Sequence, residues 1–273
     1  MNLAAIAKNL YFENGIWFSS GRNKISYPEE GNSAFFALEE SSFWFKHRNN
    51  CIASLVKKFS PDLLFYDIGG GNGFVSRWLE KSGVDTVLIE PGIQGCINAQ
   101  KRGLKNIVCS SLEDAGFVSG SIDSCGLFDV VEHIKDDAAF ISNIYKYLKP
   151  GGYCFVTVPA YKMLWSNEDV DAGHYKRYNM AGIKQLHIDN GFKIVYASYF
   201  FSFLVLPIFL LRSIPSLWKK SSSAFDLQQK EHISSGFSKL IIDQLCSIEL
   251  NRIIHNKNIL FGSSLLVVAQ KPH

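Results

Sequence analysis

The sequence lacks a strong charge of either sign. Its 28 Lys and Arg face 25 Asp and Glu, a formal net charge of +3, and its cations form no long run, so no nucleic-acid partner is expected. The six cysteines, at positions 51, 96, 109, 125, 154 and 246, contain no C-x-x-C pair and no metal-ligand spacing. That excludes a thiolate metal centre and a disulfide framework, and no metal is expected. Four of the six lie in or beside apolar stretches, where a free thiol behaves as a small hydrophobe, and a reducing, cytoplasmic compartment follows. The N-terminal stretch MNLAAIAKNLYFENG holds one lysine and no apolar run long enough for a signal peptide, so no export signal is read. Internal repeats are absent, and low complexity is confined to Ser221–Ser223, which reads as a loop.

What is present begins with Tyr66-Asp67-Ile68-Gly69-Gly70-Gly71-Asn72-Gly73, which ends an apolar strand (Leu63 to Tyr66) and opens a helix (Phe74 to Lys81). Glycines at 69, 71 and 73 permit a tight turn and let a ligand approach bare backbone, while the helix start aims unpaired N–H groups at that ligand. Glu90 follows 17 residues after Gly73, at the end of a second apolar strand, where a carboxylate binds both hydroxyls of a ribose. Two cofactor classes fit a glycine loop plus a ribose carboxylate. The dinucleotide fingerprint is G-x-G-x-x-G, but here the third dinucleotide position, counted from Gly69, is Phe74 and the pattern is G-x-G-x-G. That disfavours a pyrophosphate.

The D-x-G-x-G-x-G form resembles motif I of the class I S-adenosylmethionine-dependent methyltransferases. The resemblance continues through Cys109–Glu113, Phe128–His133, Leu148–Gly152, Leu164–Asp169, Gly173–Tyr178 and the closing Ile259–Ala269. The last three are similar to a bacterial subgroup associated with polysaccharide and lipid-intermediate pathways. The resemblance implies S-adenosylmethionine as cofactor and a doubly wound, mostly parallel seven-stranded α/β sheet, Rossmann-like, with an antiparallel closing strand. It places Asp67, Gly69, Gly71 and Gly73 at the methionine end, Glu90 on the ribose and Leu112 in the adenine pocket, and leaves Asp129 to cofactor or acceptor. One departure is Gly70, where cysteine or serine is common.

The order of elements agrees with that fold: strands near 63–67, 85–90, 105–109, 122–129 and 152–158 alternate with helices near 73–82, 93–102 and 136–148. Two regions decorate the core. Residues 1–50 are rich in aromatics, among them Tyr27, Phe35 and Phe43–Phe45, and form a covering segment before a methyltransferase domain over 51–273. Within it, Phe43–Arg48 reads as a lid or as packing, and 1–30 as packing or partial disorder. The second decoration is a hydrophobic helical insertion near 199–258. Ile194–Leu211 runs 18 residues without a charge, but Pro207 interrupts it and its start belongs to a strand, too short a remainder to span a bilayer. Followed by Arg212, Trp218, Lys219 and Lys220, the 199–218 segment suits peripheral contact with the inner face of a membrane, or equally a hairpin packed on the protein.

Catalysis of transfer to a hydroxyl needs a proton acceptor, and histidine is the usual one near neutral pH. His174 is the first candidate, oriented by Asp169 or Asp171, and His133 the second; Arg177, Tyr178 and Trp165 are the candidate holders of a small-molecule or lipid-linked acceptor. Three classes remain: a methyltransferase acting on a small, sugar- or lipid-linked molecule at oxygen, a nicotinamide-dependent oxidoreductase, and a non-catalytic binding protein on the same fold.

Overall fold

Short apolar runs punctuated by glycine form the strands, and in a computed structural model describing residues 3–20, 36–216 and 237–273 they assemble into one sheet. The elements are α1 (Leu3–Ile6), β1 (Leu10–Glu13), β2 (Ile16–Ser19), α2 (Phe43–Phe59), β3 (Phe65–Ile68), α3 (Phe74–Lys81), β4 (Thr86–Ile89), α4 (Ile93–Lys101), β5 (Ile107–Cys109) and β6 (Ile122–Phe128). They continue with α5 (Asp137–Tyr147), β7 (Leu148–Pro159), α6 (Asn167–Asp171), α7 (Met180–Asp189), β8 (Lys193–Phe200), α8 (Val205–Ile208), α9 (Phe237–Ile254) and β9 (Ser264–Gln270). β3, β4 and β5 are buried at every position, as parallel strands covered by helices on both faces must be.

The strand order is β1-β2-β5-β4-β3-β6-β7-β9-β8. From β2 to β7 all neighbours are parallel, and β9 runs antiparallel between β7 and β8. The chain winds outward from β3 through β4 to β5, then returns to lay β6 and β7 on the other side. The carboxyl ends of β3 and β6 therefore flank the switch point where an open α/β sheet binds its ligand.

The sheet has nine strands where seven are expected, because residues read as packing or partial disorder form a hairpin. Asn14 (φ 50°) and Gly15 (φ 84°) make the two-residue turn between β1 and β2, and β2 extends the sheet by pairing Trp17 and Phe18 with Val108 and Cys109 of β5. Asn-Gly between two aromatic-rich runs is the strongest short hairpin signal, and it was there to be read. Position 50 is likewise no boundary. Ser42 caps α2 by accepting the N–H of Trp44 (3.1 Å), and the helix runs unbroken to Phe59, carrying the covering segment into the main core, which extends from Leu3 to Ala269.

The insertion follows β8. Phe201 takes a left-handed φ of 58°, and an arm then runs through a 3₁₀ turn (Ser202–Leu204), α8, a π-helical turn (Phe209–Ser213) and Ile214–Ser216. α9 packs along α2. Buried Glu249 of α9 accepts the N–H groups of Phe201 (2.8 Å) and Ser202 (2.7 Å) and pairs with His47 Nε2 of α2 (3.1 Å), so one carboxylate joins α9, α2 and the base of the arm. Among the described residues no helix is long and apolar enough to cross a membrane. Tyr27, Phe35, the Trp218–Lys220 group and the Ser221–Ser223 loop lie outside the described residues.

Candidate active site

A cavity of about 780 Å³ opens at the carboxyl ends of β3, β4, β6 and β7, walled by α2 on one side and the arm on the other. At its β3–β4 end the glycine loop turns back under the sheet. Gly71, with φ 53°, donates its N–H to Glu90 Oε2 (2.8 Å), and Gly92 donates to Oε1 (2.7 Å), so two stretches of backbone fix a buried carboxylate in the wall. Asp67 is fully buried. Its Oδ2 accepts from the backbone N–H (3.1 Å) and hydroxyl (2.7 Å) of Ser76, whereas its Oδ1 has no hydrogen-bond partner among the described residues. Burial pushes this carboxyl up to about 6, against the hydrogen bonds of Ser76 and the charge of Arg48. An orphaned carboxylate oxygen in a dry wall needs a cation, and the ammonium or sulfonium of S-adenosylmethionine supplies one, so the residues present fit that cofactor. Leu112 lines the same end, and the hydroxyl of neighbouring Ser110 donates to Ser19 (2.8 Å), so the β1–β2 hairpin buttresses the loop expected to hold adenine.

Asp129 stands where the two ends meet. It takes φ 57°, its Oδ1 accepts from Thr157 Oγ1 (3.1 Å), and its Oδ2 accepts from Arg48 Nη1. Arg48 reaches over from α2 with its guanidinium 5.1 and 5.3 Å from the ring centroids of Trp44 and Phe45.

The other end is made of side chains. Asp169, in the first turn of α6, closes a capping box with Ser166 through Oδ2. Its Oδ1 accepts from His174 Nδ1 (2.8 Å) and from Arg177 Nε (2.8 Å). Burial alone would raise this carboxyl, but the hydrogen bond from His174 and the charge of Arg177 outweigh it and hold it below the ordinary range. With Nδ1–H assigned to Asp169, His174 keeps a lone pair on Nε2. The His133 ring stands edge-on to His174, centroids 4.7 Å apart, and burial followed by the charge of His174 pushes it down to about 4, so it is neutral near pH 7. Leu204, Pro207, Ile208 and Leu211 of the arm and Ile242 of α9 give this end an apolar roof, and Arg212 pins the arm to Glu168 of α6.

Asp67, Gly69, Gly71, Glu90, Leu112, Asp129, His133, His174 and Arg177 thus line one cavity. Four expected site residues do not line it. Gly73 caps α3 and faces α4, where a Cβ would meet Leu104 (2.5 Å) and Ala99 (2.8 Å), so its role is helix packing. Asp171 ends α6 exposed, one helical step past the carboxylate that holds His174, which is Asp169. Tyr178 is buried with its hydroxyl donating to Asp137 Oδ2 (2.8 Å), which pins the loop, and Trp165 is half-buried away from the cavity. Arg48 and Glu132 were missed. The signal for Arg48 was its spacing of three and four residues from Phe45 and Trp44, which puts the guanidinium on their ring faces.

A solved phosphoethanolamine N-methyltransferase 2 of Haemonchus contortus, in complex with phosphomonomethylethanolamine and S-adenosylhomocysteine, is 21% identical, with a TM-score of 0.54 over 90% of this chain and 58% of that one. A methyltransferase of Archaeoglobus fulgidus is 20% identical, with a TM-score of 0.53 over 87% of this chain and 99% of that one. At these identities the likeness concerns the fold. A ubiquinone biosynthesis O-methyltransferase of Parvibaculum lavamentivorans is 28% identical over 138 residues, and the chain spans about half the length of this relative (49% of each). The methyltransferase domain family matches residues 45–197, from the first turn of α2 to β8 and more than half of the chain. This match removes the nicotinamide alternative: the chain belongs to the methyltransferase domain family, the class I fold whose cofactor is S-adenosylmethionine.

Proposed function

We propose that the protein transfers a methyl group from S-adenosylmethionine to an oxygen of a small molecule that carries an apolar tail or is sugar- or lipid-linked. The observation that carries this is a single cavity with Asp67 and Glu90 at one end, the His174–Asp169 pair at the other, and an apolar roof over the second end. The cofactor supplies an electrophilic methyl carbon on a sulfonium. The chain's residues position the acceptor and manage its proton. His174 Nε2 accepts the proton of the acceptor hydroxyl, while Asp169 fixes the tautomer and stabilises the imidazolium that forms. Arg177, spent on Asp169 and on the carbonyl of Ala160 (3.2 Å), holds that pair in place. The arm excludes water from the transfer and lies against the tail.

The relative in ubiquinone biosynthesis, an O-methyltransferase, supports oxygen as the receiving atom. The outer face of the arm exposes Leu206 and Leu210, which supports peripheral contact with a lipid surface. The test is transfer of labelled methyl from S-adenosylmethionine to a panel of catechols, hydroquinones with prenyl tails, lipid-linked sugars and small amines. Product on the tailed hydroxyl compounds is expected. Product on the amines alone overturns the assignment of oxygen.

A further inference from the structure

The turn after β6 and the loop after α6 bring together three side chains of ligand type. Glu132, His133 and His174 each offer one ligand atom, and these atoms all lie within 4.8 Å of one another. We propose that these three residues form a binding site for a divalent transition-metal ion such as zinc or manganese at the acceptor end of the cavity. The missing cysteine spacings exclude a thiolate site. They say nothing of two imidazoles and a carboxylate brought together by folding.

Charge points the same way. Of the four carboxylates lining this end, Asp129 is paired with Arg48, Asp169 with Arg177 and Glu168 with Arg212, which leaves Glu132 without an ion-pair partner among the described residues. Glu132 is 1% exposed and its Oε2 has no hydrogen-bond partner among the described residues. A buried, unpaired carboxylate is tolerated when it takes up a proton or a cation.

The imidazoles are prepared in the manner of metal ligands. His174 gives Nδ1 to Asp169, which leaves Nε2 with a lone pair, and the His133 ring stands edge-on against it with centroids 4.7 Å apart. A histidine ligand whose second ring nitrogen is tied to a carboxylate or carbonyl is the usual outer arrangement around a metal. Ligand atoms around a four-coordinate ion at roughly 2.0–2.1 Å lie roughly 3.3 Å apart, so small side-chain rotations close the set. Three protein ligands leave a fourth position open to the cavity.

The role of the ion rests on the reading of this end as the acceptor end; the site itself does not. An acceptor oxygen in the fourth position would lose its proton to water while its electron pair stays on the oxygen bound to the ion. The His174 lone pair is then committed to the metal, and the ion takes over from the ring the task of making the hydroxyl nucleophilic.

The test is calorimetric titration of chelator-treated, dialysed protein with Zn²⁺, Mn²⁺ and Mg²⁺ in turn, followed by Co²⁺ absorption spectra. One equivalent of Zn²⁺ or Mn²⁺ is expected, with affinity about tenfold or more lower in Glu132→Gln and in His133→Gln, and S-adenosylhomocysteine affinity within about twofold in both. Co²⁺ should show visible ligand-field bands without a thiolate charge-transfer band. Melting curves establish that each variant is folded. No saturable binding by any of these ions, or binding equal in wild type and both variants, overturns the site. Full methyl transfer by metal-free protein overturns the ion's role and leaves His174 as the base. A bound ion with no transfer to any hydroxyl acceptor overturns the reading of the acceptor end and leaves the site standing.

Discussion

The two ends of the cavity are built by opposite means. At the β3–β4 end the groups that face a ligand are positioned by backbone over short stretches of chain: Gly71 and Gly92 on Glu90, Ser76 on Asp67. At the far end the work is done by side chains from segments distant in sequence, with Asp169 holding His174 and Arg177, and the arm and α9 supplying the roof. A site made of local backbone tolerates change around it and announces itself as a motif. A site made of distant side chains depends on the whole fold and carries no local signature, which is also what frees it to suit one particular acceptor.

The comparison breaks most sharply at His174. His174→Ala is expected to lower kcat about 10² to 10⁴-fold while S-adenosylhomocysteine affinity stays within about twofold, measured by steady-state methyl transfer and calorimetry. Unchanged turnover would mean that His174 only pins its loop, with His133 the next base to test. Phe201 joins the roof to the core, buried and stacked on Trp44 with ring centroids 5.3 Å apart. Phe201→Ala should cost about 3–5 kcal/mol in denaturant unfolding. A cost below 1 kcal/mol would show that the arm is loosely seated.

At the other end, Glu90→Ala should weaken S-adenosylhomocysteine by about 1.5–3 kcal/mol, the worth of hydrogen bonds to a charged group, without touching kcat at saturation. Loss of kcat with binding intact would place Glu90 on the wrong side of the comparison. The Asp67 carboxyl, raised from an ordinary 3.8 to about 6 in the ligand-free fold, stabilises the fold in its protonated form. That contribution is complete below about pH 4 and is lost as pH rises through about 6. A cationic ligand beside Oδ1 reverses the loss, so S-adenosylhomocysteine should raise Tm more at about pH 7.5 than at about pH 5, and Asp67→Asn should flatten the difference. An equal increment at both pH values would detach Asp67 from the ligand.

The smallest effect belongs to the arm's outer face. Replacing exposed Leu206 and Leu210 together by serine should leave Tm within a degree or two and abolish partial sedimentation with anionic liposomes at low salt. Wild-type protein that stays wholly in the supernatant ends the membrane reading and leaves the arm as a roof only.

Legibility in the sequence follows the same division. The glycine loop, Glu90, α3 over Phe74–Lys81 and the antiparallel closure by β9 were all readable, because each is dictated by residues adjacent in sequence. Asn14-Gly15 carries a turn signal too, but the aromatic runs on either side of it suit packing as well as strands. The choice between Asp169 and Asp171 as the partner of His174 could not be made from sequence. Both carboxylates precede His174, and only the helical turn of α6, which buries one and exposes the other, separates them. Glu132 gains its meaning from contacts between distant parts of the chain, where sequence spacing is silent, and for Arg48 the spacing gives the rings beneath it but not the distant Asp129 with which it pairs.

Glu249 gives the arm two unequal ends. At its root, the carboxylate takes hydrogen bonds from Phe201, Ser202 and His47 out of contact with water, and separating any of them would strand a charge in the interior. At its tip, Arg212 pairs with Glu168 with both side chains no more than one-fifth exposed, and the Asn167 N–H donates to Ser216 Oγ (3.1 Å). The arm is therefore fastened twice, at its root to α2 and α9 and at its tip to α6, the helix whose Asp169 also holds His174.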